Sequence, residues 1–317
     1  MRADELMAEA MRSTLESQAR KLTRRLRKAK RGDAEGVHDS RSTLRFMREG
    51  LAIMGRTVFE ASRCEELARG LRDVERALGK TRDDDVLLED LDRWLRRVER
   101  EARYQLAPLR ECIAERRTKH ARSAARKLRR KCTREAVMQV HRWLRGRPRD
   151  VLPNGKDGAT AVRRCVRHFV FDQTWRAYEE ILAYGQQRPP SIEVIHNVRS
   201  SCRRLRFTLE IFQGVLAPQS QQLVAAIHAL QNRLGDLHDA AVATARVERF
   251  IARGKVESNE AVEAYLARRK HHRDRLHAEF DREWNAIDAA GFRMALFRAL
   301  GDGGEPREIS VELVSAA

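Results

Sequence analysis

Aromatic residues are scarce in this chain, at 6% of the sequence. Proteins that hold single-stranded nucleic acid stack its bases on rings, and few rings are available here. Cysteine is scarce as well: the five residues (64, 112, 132, 165 and 202) are scattered and include no C-x-x-C pair. They suit neither a disulfide framework nor a zinc site, and they point to a reducing compartment. Nowhere is there an apolar run of about 18 residues, so no bilayer-spanning helix is predicted. The N-terminal MRADELMAEAMRS carries early acids and lacks the apolar core of a signal peptide. The expected location is the cytoplasm.

Acids are the remaining shortage. Asp+Glu number 46 against Lys+Arg 64, a formal net charge of +18. Hydrophobic residues reach 42%, enough to bury real cores, so the charge belongs to a folded protein and not to a disordered polyelectrolyte. Such a surplus implies an anionic partner: nucleic acid, a membrane surface or a phosphate polymer.

Alternating strand patterns are also missing, and helical periodicity fills the space. Amphipathic segments run over about 2–30, 37–55, 62–80, 83–118 and 119–145, then about 158–186, 192–214, 219–235, 238–252 and 258–300. GRPRDVLPNGKDG (146–158), rich in glycine and proline, separates the two series as a linker, and GDGGEPREISVELVSAA (301–317) reads as a tail. The series are alike. VHDSRSTLRFMREGL (37–51) aligns with IHNVRSSCRRLRFTL (195–209), and LGKTRDDDV (78–86) with LGDLHDAAV (234–242), at nearly the same separation. So long a period predicts an all-α fold of two similar helical halves, 1–145 and 159–300.

Within each half one helix concentrates positive charge. At about 100° per residue, His196, Arg199, Arg203 and Arg206 share one strip, while Val198, Cys202, Leu205, Leu209 and Phe212 occupy the opposite side. His38, Arg41, Arg45 and Arg48 repeat the strip over a matching apolar face that includes Leu44, Met47, Leu51 and Met54. Arg204 stands to one side of its strip, where the first half has Phe46. A solvated helix face normally mixes signs, because like charges one turn apart repel. Neither strip contains an acid at these positions, which predicts uncompensated rows awaiting an anion. Arginine suits phosphate through its planar, permanently charged fork. The histidines, near their helix starts, would donate to a phosphate oxygen; packing, capping or phosphotransfer are the alternatives for them.

Other motifs are less telling. LGKT (78–81) and NGKD (154–157) lack the glycines of a phosphate-binding loop. Asp83, Asp84 and Asp85 suggest a metal or, preferably, acids complementing the dipole at the start of a helix, with Arg82 beside them to pair. HARSAARKLRRK (120–131) and ARRKHHRDR (267–275) extend the basic character, in a register that the sequence alone does not fix.

Four motifs together resemble the conserved histidine α-helical domain (CHAD) family: H-x-x-R-x-x-x-R-x-x-R at 38–48, H-x-x-R-x-x-x-R-R-L-R at 196–206, L-G-x-x-R-D-x-D-V at 78–86 and L-Q-x-x-L-G-x-L-x-D-A at 230–240. The resemblance extends to about residue 300. It implies two pseudo-symmetric antiparallel four-helix bundles sharing a basic groove or pore, together one domain. It also implies binding of inorganic polyphosphate and association with polyphosphate granules. By match, His38, Arg41, Arg45, Arg48, His196, Arg199, Arg203, Arg204 and Arg206 would line the groove, with Arg82 a further member. Phe46 and His238 depart from the pattern, replacing the basic residue beside Arg45 and the counterpart of Arg82. The E-x-E-x-K signature of the attached triphosphate tunnel domain of many relatives is missing, so the expectation is a binding protein without enzymatic activity, cofactor or metal. A nucleic-acid binder, for which DNA or RNA would be more than a non-specific competitor, and a histidine-dependent phosphotransferase or phosphohydrolase are the alternative readings.

Overall fold

A computed structural model describes residues 1–146, 165–184, 192–218, 220–288 and 290–301. Among them are ten α-helices and no strand. In the first half these are α1 (Met7–Ala29), α2 (Ala34–Thr57), α3 (Ala61–Leu95), α4 (Arg100–Arg129) and α5 (Lys131–Arg145). In the second they are α6 (Arg167–Leu182), α7 (Ile192–Phe212), α8 (Ser220–Ala252), α9 (Glu260–Asp288) and α10 (Ala290–Gly301). Five helices answer five in the same order. Residues 147–158 of the expected linker and 302–317 of the expected tail lie outside the described residues.

The start of α2 shows how local chemistry sets an element. Gly32 takes a positive φ of 83°, which costs it nothing without a Cβ, and turns the chain out of α1. Asp33 then caps α2, its carboxylate accepting from the Gly36 amide at 2.6 Å. Beyond the cap, Val37, Leu44, Met47, Leu51 and Met54 are all buried, as are Val198, Cys202, Leu205, Leu209 and Phe212 on α7. These are the apolar faces expected from the spacing, and they turn the arginine rows away from the core.

Two expected breaks do not occur. α3 runs through residues 81 and 82, and α8 runs through 236 and 237, so 62–80 continues into the start of 83–118 and 219–235 into 238–252. Conversely, the expected segments 83–118 and 119–145 are each broken, after Leu95 and at Arg130. The glycine-acid sequences there, LGKTRDDD and LGDLHD, look like helix ends, but their glycines serve packing and the acids of the first are held by tertiary partners.

Among the described residues, the halves are joined by a short backbone bridge and two apolar cores. Leu6 and Cys165 form an antiparallel bridge, and the Val166 amide donates to the Glu5 carbonyl at 2.9 Å. A large apolar core runs from α1, α2 and α3 into α6, α7 and α8. A second, smaller core lies where α3, α4, α8 and α9 meet, built on Leu91, Leu109, Val247 and Tyr265. The space between these two cores is the cleft described next.

Candidate functional site

α2 and α7 pack side by side, with Phe46 edge-on to Phe207 at a centroid separation of 5.6 Å. Both arginine rows therefore open into one space, a cleft of about 1330 Å³. Arg41, Arg45 and Arg48 line it from α2, with His38; Arg199, Arg203, Arg204 and Arg206 line it from α7; Arg82 reaches it from α3. His196 sits on α7 at the position matching His38, and its side chain lies outside the described residues, as does that of His238.

Electrostatics confirm that the rows face each other. The charge on Arg45 pushes down the pKa of Arg199, Arg203 and Arg206, a field that rows pointing apart would not feel. Burial is the larger cause in each case, opposed by Asp239 at Arg199 and by Glu210 at Arg206. Arg203 is affected most. Burial, then Arg45, Arg199 and Arg48, push its guanidinium down to about 9 against the raising field of Glu75. His38 is also lowered from the ordinary histidine range, by burial and then by Arg82, with Asp39 and Glu89 opposing.

One row is not uncompensated, contrary to expectation. Glu75, on α3 and 8% exposed, meets Arg45 Nε and Arg48 Nη1 at 2.6 Å each and Arg41 Nη2 at 3.7 Å. Its backbone carbonyl also accepts from Arg41 Nη1 at 3.1 Å. Burial raises the Glu75 carboxyl, but Arg45, Arg41 and Arg48 overcome this and hold it below the usual carboxylate range. The acid comes from a neighbouring helix, which is why the α2 strip looked acid-free.

The α7 row differs. Arg203 has no carboxylate at ion-pair distance among the described residues, and its Nη2 donates only to Ser200 Oγ at 3.2 Å. Arg199 likewise makes no ion pair there. Toward the rim, Arg206 pairs with Glu210 at 3.6 Å and lies over the Phe207 ring at 4.6 Å, and Arg204 is bound by Glu180 at 2.5 Å. Arg204 thus lines the edge of the cleft already paired, consistent with its place off the strip.

The L-G motifs have a function that the sequence reading missed. A Cβ on Gly79 would stand 3.2 Å from Arg41 Nη1, and one on Gly235 would stand 3.5 Å from Arg199 Nη2. In both halves the glycine makes room for the first arginine of the row to lie across the neighbouring helix. The recurrence of L-G at fixed separation from the histidine helix was the available signal.

The three aspartates are not at a helix start; they lie within α3, and their role is ion pairing. Asp84 is fully buried and accepts from Arg246 Nη1 at 3.2 Å, with Arg116 at 3.4 Å and His120 Nδ1 at 2.5 Å. Asp85 binds Arg117 at 2.7 Å, and Asp83 binds Arg246 at 3.6 Å. Arg82 turns instead to Glu89, at 2.9 Å. Of the two further basic runs, 120–131 contributes nothing to the cleft and 267–275 contributes Arg269, which is bound to Asp90 at 2.9 Å. LGKT is helical, and NGKD lies outside the described residues.

With this geometry in hand, comparison with known proteins is direct. The family model of the CHAD domain matches residues 13–248, most of the chain. The chain belongs to the CHAD domain family. Two solved structures share its architecture. The CHAD domain from the plant Ricinus communis is 20% identical, with a TM-score of 0.66 over 94% of this chain and 93% of that one. PptA from Streptomyces chartreusis is 17% identical, with a TM-score of 0.66 over 89% of this chain and 100% of that one. At these identities the likeness is one of fold. Among curated proteins none matches. Both CHAD motif helices fall inside the matched span, so the family's histidine–arginine pattern coincides with the two rows that meet in the cleft. No helix among the described residues is long and apolar enough to cross a membrane.

Proposed function

We propose that this protein binds inorganic polyphosphate in the cleft between α2 and α7 and does so without catalysis. The convergence of two arginine rows, one of them without ion-paired carboxylates at its centre among the described residues, carries the reading. Polyphosphate is a line of closely spaced charges with no bases, so repeated guanidinium forks are sufficient to grip it and aromatic platforms are not needed. Each charge-assisted hydrogen bond contributes on the order of 1.5–3 kcal/mol, and burial of Arg199 and Arg203 strengthens the attraction by removing competing water. Membership in the CHAD family supports the same ligand and, with it, association with polyphosphate granules in the cytoplasm.

The test is calorimetric titration with long-chain polyphosphate at two salt concentrations. Counterion release makes affinity fall steeply with salt, by roughly 10³-fold or more between 50 and 200 mM if six or more phosphates are contacted. Replacing Arg199 and Arg203 by Gln should abolish binding while the helical circular dichroism is kept; unchanged affinity in that variant would sink the site. DNA should compete only at much higher phosphate concentration. Incubation with polyphosphate and a divalent metal should release no phosphate above the blank, and release would overturn the non-enzymatic part of the reading.

A further inference from the structure

We propose that the two sides of the cleft are unequal phosphate seats: the α7 row is the primary seat, and Glu75 occupies the α2 row as an internal counter-anion that a phosphate must displace. The proposal rests on the polyphosphate reading and adds an order of filling and a residue that sets it.

The halves repeat each other closely enough for the difference to be located. Glu75 stands three and four residues ahead of Leu78 and Gly79, and Gln231 three and four residues ahead of Leu234 and Gly235. The two positions are therefore equivalent on α3 and α8, and both side chains line the cleft. On α3 the equivalent side chain is a carboxylate gripping Arg45 and Arg48 at 2.6 Å each. On α8 it is a neutral amide whose Oε1 is buried and accepts no hydrogen bond. The two rows themselves match, histidine for histidine and arginine for arginine. Around them the charge differs at this position and also at Phe46/Arg204, Lys80/Asp236 and Arg82/His238, but of these acids only Glu75 grips two arginines of a row at hydrogen-bond distance.

The consequence follows from what each seat offers. Among the described residues no carboxylate is in ion-pair contact with Arg199 or Arg203. Asp239 and Asp236 act on Arg199 from a greater distance, and with a phosphate bound Arg203 exchanges a hydroxyl partner for a charged one. A phosphate approaching Arg45 and Arg48 must break two short charge-assisted hydrogen bonds and leave the Glu75 carboxylate buried beside it, where like charges repel. The α7 row fills first, and the α2 row engages when the rest of a longer polymer is already tethered nearby, at high effective concentration. Glu75 also keeps the α2 guanidinium groups neutralised while the cleft is empty. It thereby discriminates by length: a short phosphate finds one good seat, a long one can use both.

Glu75→Gln and Gln231→Glu test this with tripolyphosphate and long-chain polyphosphate as probes. E75Q should bind long-chain polyphosphate about tenfold tighter, one charge-assisted contact being worth about that factor. Q231E places a carboxylate opposite the α7 row and should weaken tripolyphosphate binding about tenfold, since that ligand depends on this seat alone. Equal or weaker binding of long chains by a folded E75Q, or undiminished tripolyphosphate binding by Q231E, overturns the proposal. If E75Q melts at low temperature because its arginines lose their partner, Q231E still decides. A parent protein that binds neither probe would instead remove the polyphosphate reading itself. A parent that binds both, with variants that behave alike, would remove only the ranking of the seats.

Discussion

A guanidinium largely withdrawn from water needs a counter-charge, and among the described residues Arg203 donates only to the Ser200 hydroxyl. Its pKa near 9 states the same deficit in protons. The sign is fixed by the direction of the shift. A base whose folded value lies below its unfolded value destabilises the folded state wherever it is charged, so the cost is present below pH 9 and fades as pH rises from about 9 toward the ordinary value of 12.5. An anion bound beside it reverses the effect by favouring the charged form. Polyphosphate affinity should therefore be level from neutral pH to about 8.5 and fall as pH rises through about 9. Titration calorimetry across that range, repeated on Arg203→Gln, checks this: the variant binds more weakly at neutral pH and loses the step near 9. Empty Arg203→Met protein should be more stable than the parent by about 1–2 kcal/mol in denaturant unfolding, because a buried, uncompensated cation has been replaced by an apolar chain.

At the scale of the helix, most of the α2 and α7 geometry was legible. Positions such as Val198, Cys202 and Leu205 recur at helical spacing, and such a face has only one way to pack. The row opposite follows from the same angles. Whatever arrives from another helix was not legible. Glu75 is one acid among many on α3, and nothing in its neighbourhood tells which of α3's faces meets α2. The false breaks at 81–82 and 236–237 have a related cause, because a glycine followed by acids has the same local signature whether it ends a helix or admits an arginine from the next one. The two uses of glycine separate experimentally. Gly235→Ala fills ordinary contact distance to Arg199 and removes the flexibility of a mid-helix glycine, so stability should rise by about 0.5–1 kcal/mol. Gly235→Leu requires space that the Arg199 guanidinium occupies, and should weaken polyphosphate binding about tenfold without lowering helix content. Equal binding by both variants would show that the glycine is not making room for the row.

For the whole molecule, buried ion pairs at the second core hold the halves in register. Asp90, on α3 and 6% exposed, accepts from Tyr265 Oη at 2.8 Å and from Arg269 Nη1 at 2.9 Å, both on α9, and Arg269 is itself 5% exposed. Asp84 reaches Arg246 on α8 in the same way. Removing the acid strands the cation, which is the costly way to break such a pair. Asp90→Ala should lower unfolding free energy by about 3–5 kcal/mol, read as the shift in denaturant midpoint. A loss below about 1 kcal/mol would mean that Arg269 finds other company. The pairwise layout of halves was readable from their repeats, but this junction was not: its partners, such as Asp90 and Arg269, come from opposite halves of the chain, and no local pattern links them.

That junction also has a consequence for the order in which the fold is completed during synthesis. Leu87, Leu91, Leu106, Leu109 and Ile113 emerge long before Val247, Val262 and Tyr265, which complete their cluster. Until then the early half carries an uncovered apolar end and acids such as Asp90 without their partners, a state prone to self-association. The late half, for its part, brings Arg203, which among the described residues has no carboxylate at ion-pair distance. Neither piece owns the whole cleft, whose lining comes from α2, α3, α7, α8 and, through Arg269, α9, so a chain cut before α7 should bind no polyphosphate by titration calorimetry.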